Sequence, residues 1–207
     1  LMKKTYYITQ DGYIVRKENT IYFKNEEKNI KVMLPIESIY AIYAIGSITV
    51  KSGALKYLAK KGVVINFFNR YGWYVGSFYP RETLISGHLL VKQVQFHLDR
   101  QMRMDLARKF VQGSAMNIKR NLSTYNLDTG RINELYEKID NQTNIQSLMS
   151  IEGNIRDEYY TQLDNMLPEG FKIVQRTKRP PENRMNALIS FANSLIYSAV
   201  LTELYPV

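Results

Sequence analysis

The chain's 207 residues are 45% hydrophobic and include no cysteine, so a core for one large domain or two smaller ones is available, while disulfide frameworks and thiolate metal sites are excluded. A formal charge of +9 at neutral pH favours a polyanionic partner, most simply nucleic acid. The lack of cysteine suits a reducing cytoplasm, and the N-terminal LMKKTYYITQ, in which Leu1 reads as an addition ahead of Met2, has no apolar signal core, so no export is expected.

From Lys3 to Tyr79 the pattern is mostly of period two and rich in aromatic and β-branched residues, which predicts strands. Thr5 to Ile8 and Tyr13 to Arg16 flank an Asp11-Gly12 turn, and Thr20 to Lys24 and Ile30 to Leu34 read as further short strands. Ser38 to Ala44 and Ser47 to Val50 continue the series. Ser52 then caps a short helix that runs through Lys60 and stops at Gly62. Val63 to Phe68 and Trp73 to Tyr79 form a hairpin around Asn69-Arg70-Tyr71-Gly72. The tyrosines at 6, 7, 13, 22, 40, 43 and 57 read as covering sheet faces or a subunit contact rather than as stacking platforms for bases.

Pro80 to Gly87 carries the breakers of a boundary, after which the period changes from two to 3.6. Leu89 to Asp99, Met102 to Leu122, Arg131 to Ile139, Ser147 to Leu167 and Asn186 to Tyr205 are the predicted helices. His88 and His97 are nine residues apart, on opposite faces of a helix, and so are not a ligand pair. The apolar run Ala187 to Leu201 is interrupted by Ser190, Asn193, Ser194 and Ser198 and reads as a buried helix, not a membrane span.

Two stretches carry chemistry. In Ser147 to Leu167 the residues Leu148, Ile155, Tyr159, Leu163 and Met166 predict one apolar stripe, with Glu152 inside it. A carboxylate there needs a compensating charge, and the residues leave two candidates open: Arg156 one turn on, in a structural ion pair, or a cation from outside the chain. Asp157 and Glu158, five and six residues on, lie well around the helix, so a metal would have to borrow other ligands. In Lys172 to Phe191 the cations Lys172, Arg176, Lys178, Arg179 and Arg184 are opposed only by Glu182, and Pro180-Pro181 hold the segment extended until Asn183 caps the next helix. This is a rigid basic loop suited to phosphates. Beyond it Asn186, Ser190, Asn193 and Tyr197 form a polar stripe, which either bonds another helix or lines a cleft near Glu152.

These residues carry a resemblance. Ile151-Glu152-Gly153-Asn154 with Arg156 and Tyr159, then Arg179-Pro180-Pro181 and Asn186-Ala187-Leu188-Ile189-Ser190-Phe191, resemble the CRISPR-associated integrase and endonuclease family "Cas-one" of the adaptation module. The likeness extends through Tyr6-Tyr7-Ile8, Asn19-Thr20-Ile21, Asn66-Phe67-Phe68-Asn69 and Gly76-Ser77-Phe78-Tyr79-Pro80-Arg81-Glu82, which resemble the type I-B branch, so it covers essentially the whole chain.

The resemblance implies an α+β fold: a β-rich, sandwich-like domain over residues 1–82 that mediates homodimerisation, then an all-α catalytic domain over residues 83–207. It implies a cytoplasmic prokaryotic enzyme that inserts short foreign DNA fragments into a CRISPR array by phosphodiester cleavage and transesterification. Mg²⁺ or Mn²⁺ is the implied cofactor, DNA (duplex or partly single-stranded) and the small "Cas-two" protein the implied partners. Glu152 matches the family's glutamate, the catalytic metal ligand; Arg156 would orient it and, with Arg176, Lys178, Arg179, Arg184 and Asn186, form the DNA-facing set. Asn183 stands where many relatives have aspartate and caps a helix comparably well. The family's histidine and aspartate ligands follow the Asn186 helix, and the sequence ends at Val207 before either, so the helical domain reads as C-terminally incomplete and inactive by itself. A non-catalytic DNA-binding and assembly subunit is the alternative.

Overall fold

The computed structural model describes residues 3–81, 86–178 and 180–205. It divides into two compact units, Leu1–Ile85 with Leu188–Val207, and Ser86–Ala187.

Among the described residues of its N-terminal part, the first unit runs β1 (Lys4–Ile8), β2 (Gly12–Lys17), β3 (Thr20–Asn25), β4 (Ile30–Leu34), β5 (Ile39–Ile45), β6 (Ile48–Val50), α1 (Ser52–Lys60), β7 (Val64–Phe68) and β8 (Tyr74–Phe78). The strands form two four-stranded sheets, ordered β1-β5-β7-β8 and β4-β3-β2-β6. Ile14 and Ile21 from one sheet, Ile42 and Ile65 from the other and Leu58 of α1 are fully buried in a shared core. That is the sandwich-like arrangement expected. Strand β3 alternates cleanly, with Ile21, Phe23 and Asn25 inward. By contrast, Ala41 to Ala44 of β5 are buried on both faces, as befits a central strand paired in parallel with β1 and β7.

The chain turns at Asp11-Gly12 as expected, and the turn carries it from one sheet to the other: β1 lies parallel to β5, and β2 lies between antiparallel β3 and parallel β6. The corner is strapped from a distance, by Ser47 N donating to Asp11 Oδ1 at 2.8 Å, Gly12 N to Ser47 O at 3.1 Å and Asn25 Nδ2 to Asp11 O at 2.7 Å. A side chain at Gly12 would put Cβ 2.3 Å from Lys24 O, so glycine is there for close approach. The β7–β8 hairpin does form, with Asn69 Oδ1 accepting from the amides of Tyr71 and Trp73 and Gly72 at a left-handed φ of 78°.

Helix α6 spans Arg184–Leu204. Residues Leu188–Val207 cluster with the β-rich unit rather than with a single helical block over 83–207. The outer face of the β1-β5-β7-β8 sheet presents Ala41, Tyr43 and Phe68, and Leu195 packs against them. Asn66 Nδ2 donates to Thr202 Oγ1 at 3.2 Å, Tyr40 OH donates to Glu203, Tyr74 meets Tyr197 edge-on at 5.7 Å, and Tyr79 stacks on Tyr205 at 3.9 Å. Tyrosines 40 and 43 thus cover a sheet face, and burial together with the Glu203 carboxylate pushes the Tyr40 hydroxyl up to about 12. Of the polar stripe expected on α6, Asn186 is buried while Asn193 and Tyr197 are exposed; Ser198 and Thr202 are buried as well, their hydroxyls donating to carbonyls four residues back. By length and composition α6 could cross a membrane, with a mean hydropathy of 1.4; it is buried on one face only, not throughout, and Ile196, Val200 and Leu204 are exposed.

The second unit holds α2 (Gly87–Leu98), α3 (Arg100–Thr124), α4 (Gly130–Tyr136) and α5 (Ile145–Met166). Ser86, Asp99 and Asn144 cap α2, α3 and α5 through side-chain oxygens, which moves the start of α5 two residues ahead of the expected Ser147. Its core is Met104, Ala115, Leu122, Ile132, Leu135, Ile139, Leu148 and Ile155.

Candidate nucleic-acid and metal site

Helix α5 meets its core through Leu148 and Ile155, with Ile151 and Tyr159 packed against it. These four, spaced three, four and four, are the true apolar stripe. Glu152 sits beside it, its side chain 32% exposed, and Met166 is exposed. The expectation of a carboxylate inside the stripe is therefore corrected: the presence of Ile151 rotates the buried face away from Glu152. Arg156 Nη2 donates to Glu152 Oε1, and that guanidinium is 49% exposed. A pair so open to solvent contributes between zero and about 1 kcal/mol. Nothing in its burial demands an internal counter-charge, and the carboxylate remains reachable from outside.

The basic loop is anchored on α5 about 18 Å further along the axis, twelve residues at the helical rise. Asp164 accepts from Lys172 Nζ through its carbonyl and from Ile173 N through Oδ1, and Ile173 is buried. Asn183 Oδ1 caps α6 by accepting from Asn186 N at 2.8 Å, while its amide donates to Ile173 O at 3.1 Å. Asn186 is wholly buried and faces the loop: Nδ2 donates to Gln175 O at 2.8 Å and Thr177 Oγ1 at 3.0 Å, and Oδ1 accepts from Arg176 Nη1 at 3.2 Å. A DNA contact was expected of this side chain; its hydrogen-bonding groups are instead engaged within the chain. Arg176 is half-buried and turned toward Asn186 and Thr177 O.

Lys178 and Arg184 are exposed, the latter with its guanidinium 5.8 Å from the centre of the Phe171 ring. Arg179 lies outside the described residues. Between Ile173–Arg176 and the Asp157, Tyr160 and Asp164 side of α5 there is a cleft of about 550 Å³. The structure thus brings together Glu152 with Arg156, and Arg176 with Asn186. Sequence reasoning missed Asp164 and Thr177 as loop anchors, because a lone aspartate on a polar helix face looks like any solvated one.

The family model described as CRISPR associated protein Cas1 matches residues 6–207. The chain belongs to the Cas1 family. It is 51% identical over 205 residues to the CRISPR-associated endonuclease Cas1 of Methanothermobacter thermautotrophicus, covering 99% of this chain and 60% of that protein. Against the corresponding protein of Methanocaldococcus jannaschii the figures are 49%, 99% and 63%. The structure of a Cas1 protein from Thermotoga maritima superposes with a TM-score of 0.90 at 37% identity, covering 99% of this chain and 65% of that one. The chain therefore spans roughly three fifths of the length of the curated Cas1 relatives it matches.

Cas1 membership raises the question of a divalent metal, which the residues answer only in part. Among the described residues no three His, Cys, Asp or Glu side chains come together as a metal site. His88 and His97 are exposed on α2, and Glu158 accepts from Gln162 Nε2 at 2.8 Å. Glu152 is a chemically suitable oxygen donor for a hard cation, yet one carboxylate beside a guanidinium does not amount to a site. The described residues do not by themselves fit the metal.

Proposed function

We propose that this Cas1 chain binds DNA and contributes to a metal-dependent endonuclease and integrase that inserts short DNA fragments as spacers into a CRISPR array. The observation that carries the reading is the pairing on α5 of a solvent-reachable Glu152 with Arg156, on the same helix that anchors a rigid basic loop. In this reading the substrate is the phosphodiester backbone of DNA and the reaction is strand cleavage and transfer. Glu152 would offer one oxygen ligand to a Mg²⁺ or Mn²⁺ ion, which would polarise the phosphoryl group, and Arg156 fixes the carboxylate's rotamer. Lys178, Arg179 and Arg184 hold phosphates, and Arg176 with Asn186 holds the loop in shape. The β-rich unit forms the homodimer contact, the small Cas2 protein is the assembly partner, and the compartment is the prokaryotic cytoplasm.

A second reading is a DNA-binding and assembly role without chemistry, favoured by the lack of a three-ligand cluster among the described residues. Strand transfer of a labelled 3′-hydroxyl oligonucleotide into supercoiled plasmid, with Mn²⁺ or Mg²⁺ and with a protein that carries this chain at the full length of its relatives, separates the two. The integrase reading expects product that Glu152→Ala abolishes while DNA binding persists. Binding without product sides with the second reading, and product at the native rate from Glu152→Ala overturns the role given to that residue. Sedimentation of the chain at micromolar concentration tests the homodimer, and a single monomeric species would refute it.

A further inference from the structure

The β-rich unit has its own concentration of positive charge, thirteen basic against five acidic residues over positions 3–81. One part of it is organised rather than diffuse. Where β2 turns into β3 beside the end of α1, Arg16, Tyr57, Lys60, Lys61 and Glu37 line a cleft of about 560 Å³. Tyr57 is buried and its hydroxyl donates to Asn19 O at 3.1 Å, so its ring is a fixed floor. The Arg16 guanidinium lies 4.2 Å above that ring and its Nε donates to Glu18 O at 2.7 Å. Two restraints therefore hold the group flat, while among the described residues its terminal Nη nitrogens have no protein acceptor. Lys61 is paired with Glu37, and Lys60, in the last turn of α1, is exposed and has no ion-pair partner among the described residues.

A guanidinium stacked on an aromatic ring with its outer edge free is pre-organised for bidentate capture of a tetrahedral or planar oxyanion. Lys61 and Glu37 cancel, which leaves Arg16 and Lys60 as two net cations facing the same space. We infer that the cleft lined by Arg16, Tyr57 and Lys60 is a second phosphate-binding site, which holds the DNA backbone on the β-rich unit. The inference rests on the DNA-binding reading above and extends it to a surface outside the α5 loop. A repeating anion fits better than a carboxylate-bearing protein segment, because positions 3–81 carry thirteen basic against five acidic residues in all, and duplex DNA presents one negative charge per about 1.7 Å of axis.

The test is equilibrium binding of a short fluorescent duplex across a salt series, using the 207-residue chain, Arg16→Ala/Lys60→Ala and Arg16→Lys, with a thermal melt of each to confirm folding. Each phosphate contact contributes about 0.9 to the slope of log affinity against log salt, so the double variant should lose about 1.8 of that slope. Between 50 and 200 mM salt this means the double variant's affinity falls about twelvefold less than that of the native chain, equally for all duplex sequences. Arg16→Lys should keep the slope and bind more weakly, having lost the stacked fork. A double variant with the native slope and affinity overturns the inference while leaving DNA binding by the chain intact. If instead the double variant binds DNA normally and loses affinity for a poly-glutamate peptide, the cleft takes an acidic protein partner and the inference is equally overturned. A native chain that binds no duplex at all refutes the DNA-binding reading itself, a result distinguishable from both.

Discussion

Asn186 is the position where the fold and the DNA reading part company most clearly. Replacing it with alanine removes the donor to Gln175 O and Thr177 Oγ1 and the acceptor for Arg176 Nη1, while the backbone amide keeps its Asn183 cap. Two neutral hydrogen bonds at about 1 kcal/mol each and one to a charged donor at about 1.5 kcal/mol or more total roughly 3–4 kcal/mol. Gln175 is exposed and its carbonyl can rehydrate, which lowers the expected cost to about 2–3 kcal/mol. That loss falls on the loop first. Hydrogen exchange of the Ile173 and Glu182 amides, which donate to Asp164 Oδ1 and Thr177 Oγ1, should accelerate by about 30- to 150-fold, one decade per 1.4 kcal/mol. Asn186→Asp keeps the acceptor for Arg176 and loses both donors, so it should lie between alanine and the native chain. DNA affinity should fall with loop order in both variants. Unchanged exchange in Asn186→Ala, with DNA binding lost, would refute this account and return Asn186 to the direct contact expected from the sequence.

Three further outcomes follow from the geometry. Glu152→Ala should leave stability within about 1 kcal/mol of native, since the Arg156 pair is half-exposed, and Mn²⁺ should shift the melt of neither protein measurably; a loss of 3 kcal/mol or more in chemical denaturation would mean a truly buried pair. Gly72→Ala should destabilise by about 2 kcal/mol or more, because the position combines a φ of 78° with a Cβ 2.5 Å from the Phe191 ring, and Phe191→Ala should relieve the steric part but not the backbone part; equal melting of Gly72→Ala and native chain would refute both causes. The Tyr40 hydroxyl is raised from 10.0 to about 12 by burial and by Glu203, so its neutral form is the one the fold favours. The stability it contributes is fully present below pH 10 and lost as pH rises from there through about 12. Melts across that window should fall more steeply for the native chain than for Tyr40→Phe, and superimposable profiles would remove Tyr40 from the α6 contact.

The features legible in the sequence are local. The alternation of Thr20 to Asn25, the continuous apolar run of β5, the Asn69–Gly72 turn and the Asn183 cap are each decided within a few residues, by side-chain period, left-handed φ or a side-chain oxygen placed three residues before an amide. The family motifs around Glu152 and Asn186 were legible for the same reason. Which surfaces meet was not, because that depends on partners remote in the chain. Asp11-Gly12 has the composition of a hairpin turn, yet its hydrogen bonds go to Ser47 and Asn25, so its flanking strands enter separate sheets. Helix α6 mixes apolar and small polar residues around its circumference, so its sequence does not by itself pick the buried face; the face of Ala41, Tyr43 and Phe68 awaiting cover decides that Leu195, Ser198 and Thr202 turn inward. Glu152 and Ile151 are one residue apart, a rotation of about 100° on the helix, and packing against α3 and α4 alone chose Ile151 for the core and left the carboxylate at the surface.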